Sequence, residues 1–421
     1  MGSQKKNLGC GCFPWLMVTG AFAWFWLWLV PWMGPRFDIE AARNGDFKAV
    51  FERLMDRSDA EGVTSSPADS DLPPIIQAEL PVEATSSAAP VTGQTAAGQA
   101  QTQTVPNQTP NQAVPTQTVP TMPEAWQSKA FRGIYISRYQ ITNRASEKTI
   151  RDRVRYYKAQ GINTIIHGVW GNGCTMYKSE VMRKTLGYSS CPNLFQDPWL
   201  DWMLDEAHKQ GMQVHAYFEK GIKLDETSPI FDVATNKGWF VPGIDKTYPG
   251  VDHYILDVEN LEVAKYFTEI SAEFVRRYPT IDAVQWDDYV GYHEALPGEK
   301  DRTAQLTEFM LNIRQAVKQA NPKVSFDVCH HNPYWGKRYF DADWASWQVD
   351  RAFIQVYNDN NFAAEMDYVQ QHSGIAISDT QFGRLAALAN NSQVKSVLLF
   401  PSAGNPEQTA ARFKQVWSGQ Y

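Results

Sequence analysis

The sequence predicts an α/β fold, and three features of residues 129–421 lead to that prediction. Eight short apolar segments recur there, each is followed by a stretch with helical spacing, and most end in a polar or aromatic residue. A strand that is apolar throughout is buried on both faces, as in a parallel sheet that is covered by helices. Eight such β-then-α units in a segment of this length predict a closed (β/α)8 barrel, the TIM barrel.

The eight predicted strands follow one another at similar intervals along the chain. They span residues 133–136, 163–170, 213–219, 282–288, 324–329, 353–357, 374–379 and 397–401. Between them, the apolar residues of 261–278 and 306–317 repeat at helical spacing and predict helices that pack on the sheet. Because a barrel of this kind presents functional side chains at the C-terminal ends of its strands, the residues that end these segments are the candidates for a site.

The first part of the chain predicts a membrane anchor. Residues 13–34 are almost wholly apolar, and about 21 helical residues span roughly 30 Å, the thickness of a bilayer core. Two lysines precede this stretch, which favours a cytoplasmic location for residues 1–12. A cleaved signal peptide is the alternative, but residues 30–33 offer no small-residue cleavage site. The sequence therefore predicts a single-pass membrane protein whose barrel is periplasmic or extracellular.

Two further segments separate the predicted anchor from the predicted barrel. Residues 35–58 place apolar side chains at helical spacing, which predicts a juxtamembrane amphipathic helix. Residues 59–128 contain no Lys or Arg and are rich in Pro, Thr and Gln. A segment of this composition cannot bury enough apolar surface to offset the entropy lost on ordering, so we expect a disordered linker. The barrel domain is predicted to occupy residues 129–421.

Charge and composition limit the partners that the chain can have. The net charge is −7 and no long basic block occurs, so nucleic acid is not an expected partner. The 15 Trp residues suit either stacking on sugar rings or filling a core, and composition does not separate these uses. No zinc-binding spacing of Cys or His is present, so we predict neither a metal site nor a cofactor. Cys174 and Cys191 share the loop after the second strand and form a candidate disulfide.

Carboxylates end two consecutive strands of the predicted barrel. Asp287 and Asp288 close the fourth strand, and Glu219 closes the third. Hydrolysis of a glycosidic bond requires a proton donor for the leaving oxygen and a second carboxylate at the anomeric carbon. We therefore predict that Asp287, Glu219 and Asp288 are catalytic, with Asp327 and Asp379 as reserves at later strand ends. For any one Asp, capping of the following helix is the plainer interpretation, and it is the cluster that favours catalysis.

Polar and aromatic residues near these strand ends suit a polyhydroxylated ligand. Aromatic rings stack on sugar faces, whereas imidazole, amide and guanidinium groups hydrogen-bond to hydroxyls. The predicted substrate-binding residues are Arg138, His167, Trp170, Trp286, Tyr289, His331, Gln355, Tyr357 and Asn358. Each has a plainer alternative, because a single polar side chain at a strand end often only satisfies a loop backbone.

Ordered motifs along the barrel carry a resemblance to a known family. They are Arg132-Gly-Ile-Tyr-Ile136, Gly161-Ile-Asn-Thr164, Tyr177-Lys-Ser-Glu180, Glu206-Ala-His-Lys-Gln-Gly211, Val214-His-Ala-Tyr-Phe-Glu-Lys-Gly221, Leu256-Asp-Val-Glu-Asn-Leu-Glu-Val263, Arg277-Tyr278, Trp286-Asp-Asp-Tyr289, Trp347 with Asp350, and Ile354-Gln-Val-Tyr357. Over residues 130–400 this pattern resembles the family-ten-like glycosyl hydrolase barrels. It departs from that family at Ala283, where Gly is usual, and at Tyr217, where Trp is common.

The resemblance implies an activity and a substrate class. Family members are secreted or envelope proteins, and some act on peptidoglycan glycan strands that have been stripped of peptide. It thus implies a membrane-anchored glycoside hydrolase whose partner is a cell-wall polysaccharide. One alternative is a non-catalytic glycan-binding barrel that tethers the envelope to the cell wall. Another is a hydrolase whose substrate is a soluble or exported polysaccharide.

Overall fold

The computed structural model describes residues 121–137, 145–191, 195–241, 254–292 and 300–420. The predicted anchor, the predicted juxtamembrane helix and the predicted linker up to residue 120 lie outside these ranges. Within them, no helix is both long and apolar enough to cross a membrane.

Eight parallel strands close into a barrel, which confirms the predicted fold. In chain order the described strands are β1 (Arg132–Ile136), β2 (Thr164–Gly171), β3 (Cys174–Thr175), β4 (Gln213–Phe218), β5 (Lys223–Leu224), β6 (Tyr254–Ile255), β7 (Ala283–Trp286), β8 (Ser325–His330), β9 (Arg351–Val356), β10 (Gly374–Ser378) and β11 (Val397–Phe400). The barrel order is β1, β2, β4, β7, β8, β9, β10 and β11, and β11 pairs with β1 to close the ring. Strand β3 adds to β2 in antiparallel fashion, and β5 pairs with β6.

Helices surround the barrel and cover its outer face. They are α1 (Glu124–Gln127), α2 (Glu147–Ala159), α3 (Glu180–Leu186), α4 (Trp199–Lys209), α5 (Phe231–Asn236), α6 (Leu261–Arg277), α7 (Thr303–Ala320), α8 (Pro333–Phe340), α9 (Phe362–Val369), α10 (Leu385–Asn390) and α11 (Pro406–Trp417). Helix α6 shows how local chemistry sets these bounds. The Asn260 side chain accepts a hydrogen bond from the Glu262 amide at the first turn, and basic residues occupy the last turn.

Two apolar layers pack on the two faces of the sheet. The larger layer fills the space between strands and helices, and the smaller layer fills the barrel interior. The interior cluster consists of Tyr135, Ile166, Tyr217, Cys329, Phe353, Ala376 and Leu398. Because side chains alternate across a strand, residues two positions further along each strand point to the C-terminal mouth of the barrel. The C-terminal mouth is therefore where functional side chains are expected in a barrel of this kind.

Residues just before the predicted boundary at residue 129 pack against the barrel. Trp126, in α1, is buried, and its ring centroid lies 4.8 Å from that of Phe413 in α11. Lys129 is also buried and donates from Nζ to the carbonyls of Asn391 and Val394 at 2.8 Å. The end of the predicted linker is therefore ordered against the barrel. One large aromatic side chain anchors a segment whose composition predicts disorder.

The loop after β2 is closed by the candidate disulfide. Cys174 and Cys191 form this bond, with their Cα atoms 5.2 Å apart. The Cys191 amide also donates to the Thr175 carbonyl at 2.7 Å. The bond and the backbone contact together fix the base of the loop that contains α3.

Candidate active site

Two turns that leave neighbouring strands pack directly against each other at the barrel mouth. The turn 219–223 follows β4, and the turn 287–291 follows β7. Gly221 has φ +43°, and a Cβ atom there would lie 2.6 Å from the backbone carbonyl of Tyr289. The Ile222 amide donates to the same Tyr289 carbonyl at 3.2 Å. The close approach requires glycine, and it fixes the two acid-bearing turns relative to each other.

Asp287 is the most deeply buried of the three predicted catalytic carboxyl groups. It is 4% exposed, its Oδ1 accepts from the Tyr289 amide at 3.0 Å, and its Oδ2 accepts from the Tyr217 hydroxyl. Burial, followed by the neighbouring Asp288 carboxyl, raises the pKa of Asp287 well above its usual range. The Tyr217 hydroxyl and the Lys223 ammonium oppose that shift without cancelling it. Asp287 therefore keeps its proton where an exposed Asp is ionised, as a general acid requires.

A second carboxyl group and a lysine lie beside Asp287. Asp288 is 6% exposed and begins the 3-10 turn Asp288–Val290. Lys223, on β5, is 2% exposed, and its Nζ lies 4.5 Å from the centroid of the Tyr289 ring. Burial lowers the pKa of Lys223 to about 8, although Asp288 and Asp287 favour its charged form. Three ionisable groups thus share one buried part of the mouth.

Glu219 is the more accessible acid of the site. It is half-buried, and the hydroxyl of Ser137, just after β1, donates to its Oε1 and Oε2 at 3.0 and 3.2 Å. A carboxylate that water and a ligand can reach is suited to act as a nucleophile or as a general base.

Aromatic hydroxyl groups line the interior below the acids. Tyr135 donates to Gln285 Oε1 at 2.6 Å, and its ring centroid lies 5.2 Å from that of Tyr217. Burial raises the pKa of Tyr135, Tyr217 and Tyr357 well above the usual value. These hydroxyls stay protonated and can donate hydrogen bonds. Two predicted binding residues lie at the acid cluster. Tyr289 follows Asp288 directly, and the charges of Asp288 and Asp287 act on Tyr357. Gln355 precedes Tyr357 by two positions on the same strand face.

Three predicted substrate-binding residues lie outside the barrel mouth, so their prediction is wrong. Trp170, Trp286 and His167 are completely buried between strands and helices. The Trp170 ring lies 5.1 Å from Phe267 of α6, and the His167 ring lies 4.7 Å from Trp199 of α4. The reason is the alternation of side chains, since residues adjacent to an inward-pointing position point outward. For Trp170, a β-bulge between Gly168 and Trp170 also shifts the register.

His331 follows β8 and lies beside a buried carboxyl group. Its Nδ1 lies 3.5 Å from Glu365 Oε1, and its ring stacks on Phe340 with centroids 5.4 Å apart. Glu365 is fully buried and accepts from the Asn332 amide and side chain at 3.2 and 3.0 Å. The stacking on Phe340 restricts the imidazole ring, and His331 remains a predicted binding residue.

The other predicted residues have capping or packing roles, or lie outside the described residues. The Asn358 side chain accepts from the Asn360 amide at 2.9 Å and caps a 3-10 turn. Asp379 accepts from Thr409 Oγ1 at 2.8 Å, and Asp327 pairs with Arg351. The two reserve carboxylates are therefore structural. Arg138 falls outside the described ranges.

Several residues of the site are absent from the sequence-based prediction. Tyr135, Tyr217 and Gln285 each precede a mouth residue by two positions, namely Ser137, Glu219 and Asp287. The period of two along a strand is a signal that could have identified them. Lys223 carries no such signal, because a tertiary contact between two turns brings it to the acids.

The fold and the site define a (β/α)8 barrel with a carboxylate cluster at its C-terminal mouth. Residues 130–301 match the glycosyl hydrolase-like 10 family, which confirms the resemblance read from the motifs. The matched segment contains β1 to β7 and the whole acid cluster.

The chain is also similar to curated glycosyl hydrolases and to solved structures. Glycosyl hydrolase DigH of Escherichia coli (strain K12) is 27% identical over 255 residues, which cover 54% of this chain and 57% of the relative. DigH of Shigella flexneri gives the same values. This chain thus spans little more than half the length of the curated relatives that it matches. Among solved structures, α-galactosidase AgaA from Geobacillus stearothermophilus is 17% identical with a TM-score of 0.40, covering 70% of this chain and 43% of that one. An α-amylase from Lactobacillus plantarum is 12% identical with a TM-score of 0.42, covering 70% and 81%.

Proposed function

We propose that this chain is a glycoside hydrolase that cleaves O-glycosidic bonds of an envelope polysaccharide. One observation supports this most strongly. Asp287, buried and with a raised pKa, and Glu219, half-buried and hydrogen-bonded, end adjacent strands and sit on turns that pack together. Hydrolysis of a glycosidic bond requires an acid and a second carboxylate in such a mouth. The match to the glycosyl hydrolase-like 10 family agrees with this chemistry.

In the proposed reaction, Asp287 donates its proton to the glycosidic oxygen as the bond from that oxygen to the anomeric carbon breaks. Glu219 either attacks the anomeric carbon or takes a proton from the attacking water. If Glu219 attacks, the water that hydrolyses the glycosyl–enzyme bond gives its hydroxyl to the anomeric carbon and returns a proton to Asp287. If Glu219 is the base, it holds the proton of the attacking water while Asp287 is ionised, and the two carboxyl groups return to their starting states by exchanging protons with solvent. The Tyr217 hydroxyl, which donates to Asp287, stabilises the negative charge that proton transfer leaves there.

The substrate that we propose is the glycan strand of peptidoglycan after removal of its peptides. The resemblance of the motifs to family members with that activity supports the choice. The predicted anchor and linker support it further, because a flexible segment of about 70 residues spans roughly 45 Å and would carry a membrane-anchored barrel into the cell-wall layer. The partners in this proposal are the polysaccharide and, through residues 13–34, the membrane.

The proposal is tested by incubating the full chain in detergent with peptide-free glycan strands and identifying the products by mass spectrometry. We expect shorter saccharides whose combined mass exceeds that of the parent by one water for each cleavage. Asp287→Asn is the matched control and should release about a hundredfold less product, or still less, in the same time. If the wild type binds the strands but releases no product, the non-catalytic alternative is correct. If it cleaves only soluble polysaccharides, the proposed substrate is wrong.

A further inference from the structure

We propose that Lys223 is a positioning residue of the active site, whose ammonium offsets the charge that the Asp287–Asp288 pair gains when Asp287 gives up its proton. This inference rests on the proposed function for the reaction itself. Lys223 belongs neither to the family motifs nor to the predicted site residues.

The backbone around Lys223 fixes the position of its side chain. The Lys223 amide donates to the Lys220 carbonyl at 2.7 Å, and the residue pairs with Ile255 across the two-stranded sheet. On its N-terminal side, Ile222 accepts from the Leu256 amide at 2.9 Å and donates to the Tyr289 carbonyl. The turn that begins with Glu219 therefore ends with Lys223, and its central residues Gly221 and Ile222 pack against the turn that carries the aspartates.

The side chain is enclosed where those aspartates lie. Its Nζ rests over the ring of Tyr289, the residue that follows Asp288, and the ammonium attracts both carboxyl groups. An ammonium group that is almost completely buried is costly unless an opposite charge compensates it. The aspartate pair supplies that compensation.

A charge count shows what Lys223 contributes. With Asp287 protonated and Asp288 ionised, the three groups carry no net charge, and proton transfer changes the total to −1. Without the ammonium the same step changes the total from −1 to −2. Two adjacent buried carboxyl groups ionise together only at high cost, so the cation lowers the free energy of the step.

Burial keeps the hydroxyl groups, the Cys329 thiol and the His330 imidazole that face this cluster in their neutral forms. Burial raises the pKa of the hydroxyl and thiol groups that interact with the pair, namely Tyr135, Tyr217, Tyr357 and Cys329. Burial lowers the pKa of His330, which faces Lys223 from β8, well below its usual value. Glu219, whose charge acts on Tyr217, is a further acidic group beside the aspartate pair. Among the described residues that act on Asp287, Lys223 is thus the cation that favours its ionised form.

The test compares the wild type with Lys223→Met and Lys223→Arg. The pKa of Asp287 is measured by ¹³C NMR titration of its carboxyl group, which requires no turnover, and kcat/KM is measured against pH on glycan strands. In Lys223→Met we expect the pKa of Asp287 to rise. The alkaline limb, which is the fall of kcat/KM at high pH, should move to higher pH by the same amount. We also expect kcat to fall by about ten- to a hundredfold, the scale of losing one group that stabilises developing charge. Lys223→Arg keeps the charge and should recover most of kcat.

The outcomes separate this inference from the proposed function. If the Asp287 titration is the same in Lys223→Met and the wild type, the inference is overturned, whether or not the glycan is cleaved. If the wild type cleaves no glycan but the titration moves as expected, the proposed function fails and the electrostatic role stands. A lower melting temperature without a shifted titration assigns Lys223 a purely structural role. Should Lys223→Met fail to fold, Lys223→Gln carries the same titration test.

Discussion

The two ends of the barrel interior each hold a buried aspartate, and the chemistry around them differs. Asp327, on β8, receives the Nε of Arg351 at 3.0 and 2.9 Å on its two oxygens and the Ser325 hydroxyl at 2.6 Å. Asp287, at the mouth, receives a hydroxyl and an amide and lies beside a second carboxyl group. Burial raises the pKa of both carboxyl groups. The next largest influence on the pKa of Asp287 is the like charge of Asp288, whereas for Asp327 it is the opposite charge of Arg351.

That difference separates a structural carboxylate from a reactive one. The Arg351 guanidinium holds Asp327 in a hydrogen-bonded ion pair, which favours the ionised carboxylate over the protonated acid. The groups that donate hydrogen bonds to Asp287, a hydroxyl and an amide, are neutral. Asp287 retains its proton because ionisation in a buried position beside Asp288 is costly. The same residue type, buried in the same barrel, therefore acts as a structural ion-pair partner at one end and as an acid at the other.

The largest expected effect is the loss of turnover in Asp287→Asn. Asn keeps the size and accepts the Tyr217 hydrogen bond but cannot donate a carboxylic proton, so we expect kcat to fall about a hundredfold or more. Glu219→Gln should do the same, and Asp288→Asn should be milder. The measurement is kcat on peptide-free glycan strands, with the melting temperature of each variant as the control.

The free energy of unfolding of Asp287→Asn provides a second test of the role of Asp287. The folded chain holds the Asp287 proton to higher pH than the unfolded chain does, so ionisation costs stability as pH rises through the raised pKa. Removing that carboxyl group should leave the free energy of unfolding at pH 7 and above unchanged or higher. A marked fall in melting temperature would instead identify Asp287 as a structural group like Asp327.

The opposite result is expected for Asp327→Asn. The substitution leaves the Arg351 guanidinium without its carboxylate partner, and we expect the free energy of unfolding to fall by about 2 kcal/mol. This is less than the ~3–5 kcal/mol for a fully buried pair, because Arg351 keeps some contact with water. The measurement is urea unfolding. The double variant Asp327→Asn with Arg351→Met should recover part of the loss, and activity per folded molecule should not change.

A smaller effect is expected from Gly221→Ala, which disturbs the packing between the two turns. The added Cβ would lie 2.6 Å from the Tyr289 backbone, so the turns must separate. We expect kcat to fall about tenfold, since small misplacements of catalytic groups are costly. Gly238→Ala is the matched control, because that glycine also has a positive φ of +63° but no atom within 4 Å of the added Cβ. Equal effects on kcat in the two variants would contradict the proposed contact.

The smallest effects are opposite shifts of the alkaline limb of kcat/KM. A general acid must be protonated, so the rate falls as pH rises through the pKa of Asp287. Asp288→Asn removes a charge that raises this pKa, and the limb should move to lower pH. Tyr217→Phe removes a hydrogen bond that lowers it, and the limb should move to higher pH. Shifts in the same direction would show that Asp287 does not set the limb.

The sequence predicted the barrel well because strand-like apolar runs and helical spacing are local signals. Each of the eight barrel strands begins within two residues of the start of its predicted segment. The cluster of Asp287, Asp288 and Glu219 was predicted for a related reason, since strand ends are predictable in a parallel barrel. Trp170, Trp286 and His167 were misassigned because the face of a strand-end residue depends on register and bulges.

The part of the site that the sequence did not predict depends on tertiary contacts. Lys223 reaches the acids only because Gly221 lets one turn lie against another, and Glu365 reaches His331 from the helix after the next strand. Neither contact has a spacing that can be recognised along the chain. The packing of residues 122–128 against the barrel was missed for a similar reason, because it depends on the tertiary contacts of a single buried side chain, Trp126.

The most direct test of the difference between the two aspartates is the pH dependence of kcat/KM of the wild type on peptide-free glycan strands. We predict an alkaline limb well above the usual range of an aspartate pKa, which coincides with the NMR titration of Asp287 and is unchanged in Asp327→Asn. A limb at the ordinary value for an exposed aspartate, or one that persists in the residual activity of Asp287→Asn, would contradict the assignment of Asp287 as the acid.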